Sequence, residues 1–180
     1  MKKPLQQIIE IPEGVEVKLD GTEVSVKGVC GENKRKFNFG KLDVELKDKK
    51  IIIGNKNSTK REKKMMNTIT AHINNMIKGV QEKFEYKLKI CFSHFPFNVE
   101  VQGDQAIIKN FLGEKIPRKL QILEGVNVKV EKEIITLNSI NKELAGQTAA
   151  NFEKATRVTN RDRRIFQDGI FIINKPWREI

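Results

Sequence analysis

A chain of 180 residues with 34 Lys+Arg, 23 Asp+Glu and a formal charge of +11 has room for one or two small domains and an excess of positive charge that needs either a partner or a surface that merely happens to be basic. Nucleic acid comes first, because its phosphates are dense and release counterions when neutralised. The longest apolar runs are a few residues, far short of the ~20 that span a bilayer, and two cysteines, Cys30 and Cys91, cannot staple a chain of this size.

The stretch from Met1 to Gln7 lacks the apolar segment of a signal peptide, so the expected compartment is the cytoplasm, with reduced thiols. Gln6 to Pro12 opens the first half as a β-like run. Val15, Val17 and Leu19 alternate with polar residues, Gly21 turns the chain, and Val24 and Val26 alternate again. This predicts a hairpin with one buried face. Gly28-Val29-Cys30-Gly31 predicts a further hairpin tip. Met65, Ile69, Ile73, Met76 and Val80 recur at spacings of three and four, which predicts a helix near 60–79 with one apolar stripe. Ser58 or Thr59 can cap it. The join between halves falls near 81–84, and Glu85 to Phe92 opens the second half. Val126, Val128 and Val130 alternate, Lys132-Glu133 offers a turn, and Ile134-Ile135 follow. Leu144, Thr148, Phe152 and Ala155, beside Ala145 and Ala149, predict a thinner helical stripe near 141–157.

The two halves repeat one order. Val15-Glu16-Val17 returns as Val99-Glu100-Val101. Gly31 to Phe37 resembles Gly113 to Leu120, and Ile51-Ile52-Ile53 resembles Ile134-Ile135-Thr136. Each β-like series leads into a helix. Neither half alternates strand with helix, which argues against a doubly wound parallel sheet. The expected fold is α+β: two tandem similar domains, 1–82 and 83–180, each an antiparallel or mixed β-sheet packed against one α-helix.

Enzyme signatures are poor. Neither GxxxxGK[ST] nor GxGxxG occurs, so no phosphate-cradling loop is expected. Cys91 and His94 stand three apart without the second pair a structural zinc site needs. His72 falls among helical apolar residues and suits packing or solvent as well as catalysis. Asp162 and Asp168 could hold magnesium in a small RNA-processing enzyme, but Asp168-Gly169 has the chemistry of a turn. No nucleophile, base and orienter occur together. Neither a cofactor nor a small-molecule substrate is expected. A basic protein-binding module with incidental charge is the other alternative.

Residues 1–84 carry the larger net charge, but the arginines are late: Arg118, Arg157, Arg161, Arg163, Arg164 and Arg178, against Arg35 and Arg61. Arginine grips phosphate with a planar fork, whereas lysine acts more as a hydrated point charge. Arg157 to Arg164 packs four arginines against one aspartate, a self-repelling cluster that a polyanion would relieve. On the second helix, Gln147, Asn151 and Lys154 share one face. Ala145, Gly146, Ala149 and Ala150 keep that helix slim, either for a groove or for tight packing on its own sheet. Lys56, Lys60, Arg61, Lys63 and Lys64 crowd the start of the first helix, where cations are unfavourable. A bound phosphate or a flexible basic loop would account for them. The phenylalanines read mostly as strand residues, so structured RNA or DNA read by backbone and shape fits better than a stacking platform for single strands.

The stretch Asn160-Arg161-Asp162-Arg163-Arg164-Ile165-Phe166-Gln167-Asp168-Gly169-Ile170-Phe171 resembles the C-terminal signature of the large-subunit ribosomal protein six family, archaeal and eukaryotic branch. Thr70 to Val80, His94-Phe95-Pro96-Phe97 and Phe111-Leu112-Gly113-Glu114-Lys115 resemble the same family, and the resemblance runs from about Ile11 to Ile173. It implies a duplicated, non-catalytic α+β protein of the cytoplasmic ribosome. The second domain would dock on large-subunit rRNA near the sarcin–ricin loop and the stalk base, where translation factors bind, beside other large-subunit proteins. Carried over, Arg161, Arg163 and Arg164, with the loop around Lys115, Arg118 and Lys119, become RNA contacts. With Lys142, Gln147, Asn151, Lys154 and Arg157 they make up the expected RNA-binding set. The segment Pro176 to Ile180 has no counterpart in the resemblance. Trp177 is open to packing or to RNA contact.

Overall fold

In the computed structural model residues 3–47, 49–176 and 178–179 are described, the side chains of Lys3, Arg178 and Glu179 excepted. Trp177 lies outside the described residues. The chain forms two compact units, Met1–Lys83 and Phe84–Ile180.

The first unit contains β1 (Lys3–Glu10), β2 (Glu16–Asp20), β3 (Glu23–Gly28), β4 (Gly31–Lys36), β5 (Asp43–Lys47), β6 (Lys50–Ser58) and α1 (Lys60–Gln81). The predicted hairpin is β2–β3, turned at Gly21 with φ +61°, a conformation glycine adopts without a Cβ clash. Its strands continue into β4 through the second tip, where Gly28 faces Gly31. β2, β3 and β4 form one antiparallel sheet; β1, β6 and β5 form another in that strand order. Among the described residues this unit thus has two sheets rather than one, as does the second unit.

Helix α1 packs on strands of both sheets, β1, β3, β4 and β6. Thr59 and Glu62 make a capping box, each side chain accepting from the other residue's backbone N–H, which satisfies two otherwise orphaned donors. The buried stripe is Met66, Ile69, Ile73, Met76, Ile77 and Val80. It begins at Met66 rather than Met65, because both lie a helical turn from Ile69 and periodicity alone cannot choose between them. Met65 is instead half-buried. On the strands that α1 packs against, Ile9, Val24, Val26, Ile51 and Ile53 are buried. At the far end the hairpin tip closes on the helix: Cys30 N–H donates to Val80 O (2.8 Å) and Cys30 Sγ to Gln81 O (3.2 Å). A Cβ on Gly28 would lie 2.8 Å from Val80 Cγ2, so this approach requires glycine.

The second unit contains β7 (Phe84–Cys91), β8 (Asn98–Gln102), β9 (Gln105–Lys109), a 3-10 turn (Phe111–Gly113), β10 (Arg118–Gln121), β11 (Val126–Glu131), β12 (Ile134–Ser139), α2 (Lys142–Ala155), β13 (Gly169–Lys175) and β14 (Arg178–Glu179). β8, β9 and β10 form one antiparallel sheet. The other has the order β11-β12-β7-β13-β14, also antiparallel throughout. The element order of the first unit recurs from β7 to α2; β13 and β14 are additions that extend the larger sheet beyond β7.

Asn141 caps α2, its side chain accepting from Glu143 N–H at 2.9 Å. Ala145, Thr148, Ala149 and Phe152 are buried against the sheets. A Cβ on Gly146 would sit 3.1 Å from the Tyr86 hydroxyl. The slim side of α2 therefore serves close packing on its own sheet, not approach to a groove.

Candidate nucleic-acid interface

The arginine-rich segment is the crossover from α2 to β13, and both of its ends are fixed. At its start, buried Thr156 donates through Oγ1 to Phe152 O (3.2 Å) and accepts from Ile170 N–H (2.9 Å), which ties the end of α2 to β13. At its finish, Asp168 is 2% exposed. Its Oδ1 accepts the backbone N–H groups of Ser93 (2.8 Å) and His94 (3.0 Å). Its Oδ2 lies 2.6 Å from His94 Nδ1 and accepts from Ser93 Oγ at 3.3 Å. Burial pushes this carboxyl up, but the bonds from His94 and Ser93 outweigh it and hold the group at about 2.

Between the anchors, Asn160 takes the left-handed conformation (φ +58°). Asp162 builds the turn that follows: its Oδ1 accepts Arg164 N–H (3.0 Å), and its carbonyl accepts from Ile165 (3.1 Å) and Phe166 (2.9 Å). Asp162 also pairs with the Arg164 guanidinium (2.9 Å), whose side chain is 90% exposed. That bond lowers the Asp162 carboxyl below its ordinary range. Phe166 stacks on His94 with ring centroids 4.4 Å apart, and the Arg161 guanidinium lies 4.7 Å from the Phe166 centroid. Arg157, Arg161 and Arg163 are exposed.

A second loop reaches the same place. Arg118 on β10 forks onto Glu114 (2.7 and 2.5 Å) and donates through Nη1 to Ala155 O at 2.7 Å. Its guanidinium lies 4.4 Å from the Phe111 centroid. It thus caps a terminal carbonyl of α2, where a cation is favourable. Glu114 is held low first by the Arg118 hydrogen bond, against opposing burial, then by the charges of Arg118 and Arg161. The charge of Arg161 on the crossover thus acts on the Glu114 loop in the same direction as Arg118.

The structure therefore brings together Arg118, Arg161 and the crossover at the C-terminal end of α2. Lys115 and Lys119 are exposed beside Arg118 in sequence, and Lys154 and Arg157 flank the helix end. Gln147 and Asn151 lie on α2 and bond each other at 3.0 Å. Lys142 begins α2, about 18 Å along the helix from Lys154 at 1.5 Å per residue. Arg118 is engaged by Glu114, Ala155 O and the Phe111 ring, a use the sequence did not disclose.

The remaining candidates resolve differently. Asp168 is not a turn residue: the turn is at 162–165, and Asp168 enters β13 as a buried anchor. Asp162 and Asp168 do not pair, being held by Arg164 and by Ser93 and His94. Ser93 Oγ and Asp168 Oδ2 both approach His94 Nδ1 (3.1 and 2.6 Å), whereas a catalytic relay needs them at opposite ring nitrogens. Among the described residues no group of three or more His, Cys, Asp or Glu could hold a metal, and no helix is long and apolar enough to cross a membrane. His72 is half-buried, 3.2 Å from Arg35 Nη1 through Nδ1. In the first unit, Lys56 lies on β6 and only Thr59 separates that strand from α1, so no flexible basic loop precedes the helix.

The family model for ribosomal protein L6 matches residues 11–83 and again 95–169, one match within each unit. The chain is 45% identical over 171 residues to the large ribosomal subunit protein uL6 of Methanobrevibacter smithii, covering 95% of this chain and 96% of that one. It is 46% identical over 171 residues to uL6 of Methanococcus vannielii, covering 95% and 94%. It is also 46% identical over 177 residues to uL6 of Methanosphaera stadtmanae, covering 98% and 96%.

Proposed function

We propose, from the premise that this chain belongs to the ribosomal protein L6 family and is a protein of the large ribosomal subunit, that its second unit clamps large-subunit rRNA. The contacts are the exposed arginines of the α2–β13 crossover, with Lys115, Lys119, Lys154 and Arg157 around them. Arg118 acts as a positioning group that ties the Glu114 loop to the end of α2, where the crossover begins. Gln147 and Asn151 extend the surface along α2, and a contact at Lys142 requires RNA that follows the helix toward its start. The docking site lies near the sarcin–ricin loop and the stalk base, beside other large-subunit proteins and within reach of translation factors, as the family resemblance implies.

The observation that supports this most is the clamping of the arginine segment at both ends, by Thr156 and by Asp168. A solvated basic loop needs no such anchors. A pre-ordered loop spends less conformational entropy on binding, and guanidinium forks match phosphate geometry. Arg161→Glu, Arg163→Glu and Arg164→Glu together should flatten the salt dependence of binding to large-subunit rRNA by ~0.9 for each duplex phosphate no longer neutralised. An unchanged slope removes the segment from the interface.

A further inference from the structure

Beside the crossover lies a cleft of about 620 Å³ whose walls include Cys91, Arg157, Val158, Arg163, Phe166 and Phe171. Its size is that of small-ligand sites, and its lining is aromatic and apolar with two guanidiniums. Two carboxylates also border it. Asp168 is engaged by Ser93 and His94, and Glu153 Oε1 accepts Ile172 N–H at 3.0 Å.

Phe171 is the unexplained residue here. It is 46% exposed, on the face of β13 turned away from the buried core, and in register with exposed Lys89 on β7. A Cβ on Gly169 would lie 3.2 Å from the ring tip, so the ring folds over the first residue of its own strand at the cleft wall. The sequence suggested no stacking platform because the phenylalanines fall at strand positions; this one does so on the exposed side. An exposed ring beside arginines matches a group that has both a flat π face and a negative charge. A nucleotide has both, and an apolar peptide segment has no use for the cations.

We propose that this cleft receives one unpaired nucleotide of the bound rRNA, its base against Phe171 and its phosphate against Arg157 and Arg163. The proposal rests on the second unit being an RNA-binding unit and adds that the unit recognises a base extruded from the helices it clamps.

The test is filter binding of the full chain to deproteinised large-subunit rRNA across a salt series. Phe171→Leu should weaken binding about ten-fold with no change in salt slope, since every phosphate remains neutralised. Phe171→Trp, which keeps a stacking ring, should bind within about two-fold of the parent. Arg163→Gln should lower the slope by about 0.7, the single-strand value. Equal binding by the leucine and tryptophan variants overturns the proposal, whether both match the parent or both are weakened by a packing defect. In either case the RNA reading stands so long as the parent binds. A parent chain that ignores the rRNA overturns that reading and this proposal with it. A leucine defect seen only on intact subunits also overturns it and gives the cleft to a neighbouring protein.

Discussion

Replacing Asp168 by asparagine tests whether the arginine segment is ordered by its anchor. The aspartate carboxyl stands at about 2 against an ordinary 3.8. That difference corresponds to about 2 kcal/mol favouring the ionised, folded form, at ~1.4 kcal/mol per pH unit. Asparagine retains an oxygen for the N–H groups of Ser93 and His94 but loses the charge and one acceptor, so the expected loss is about 2 kcal/mol. For a unit of this size that lowers the melting temperature by roughly 10 °C. The assay is calorimetric unfolding of the full chain, following the transition of the second unit. The pH dependence carries the same signature. A carboxyl whose folded value is depressed stabilises fully above its unfolded value, and that stability is lost as pH falls from about 4 toward 2. The parent should lose stability across that window, and the asparagine variant should lack this component. A melting shift below about 2 °C, with matching acid profiles, would refute the anchor.

Two further outcomes follow from interactions elsewhere. Arg118→Gln removes the fork onto Glu114, the cap on Ala155 O and the packing on Phe111. Because the side chain is 28% exposed, its removal should cost about 1–2 kcal/mol in urea unfolding, with rRNA affinity reduced through displacement of the crossover. Gly28→Ala forces a methyl to 2.8 Å from Val80 Cγ2 and 2.9 Å from Val80 O. It should destabilise the first unit by about 1–3 kcal/mol, and rRNA binding by the second unit should be unchanged.

Local periodicity made α1, the β2–β3 hairpin and the turn at Lys132 legible, because each writes its geometry into neighbouring residues. The same signals exposed the repeated order of the two units. What stayed hidden depends on distant partners. Asp168 meets His94 across 74 residues, and no spacing rule links an aspartate before a glycine to a histidine on another loop. The second sheet in each unit was also hidden, since short strands such as Asn98–Gln102 acquire their faces only when paired. Arg118 shows a different limit. Guanidinium binds phosphate, carboxylate and helix-end carbonyl with one geometry, so composition could not say which partner it has. Phe171 shows another: a strand has two sides, and only the register reveals which one a ring occupies.

β13 has a consequence for truncated chains. The crossover's two anchors are Asp168, immediately before that strand, and the bond from Ile170 within it. A chain ending ahead of Gly169 would keep the Asp162 turn but lack both the Ile170 N–H that Thr156 accepts and the strand that follows Asp168. Pairing of β13 with β7 is thus what fixes the far end of the arginine crossover.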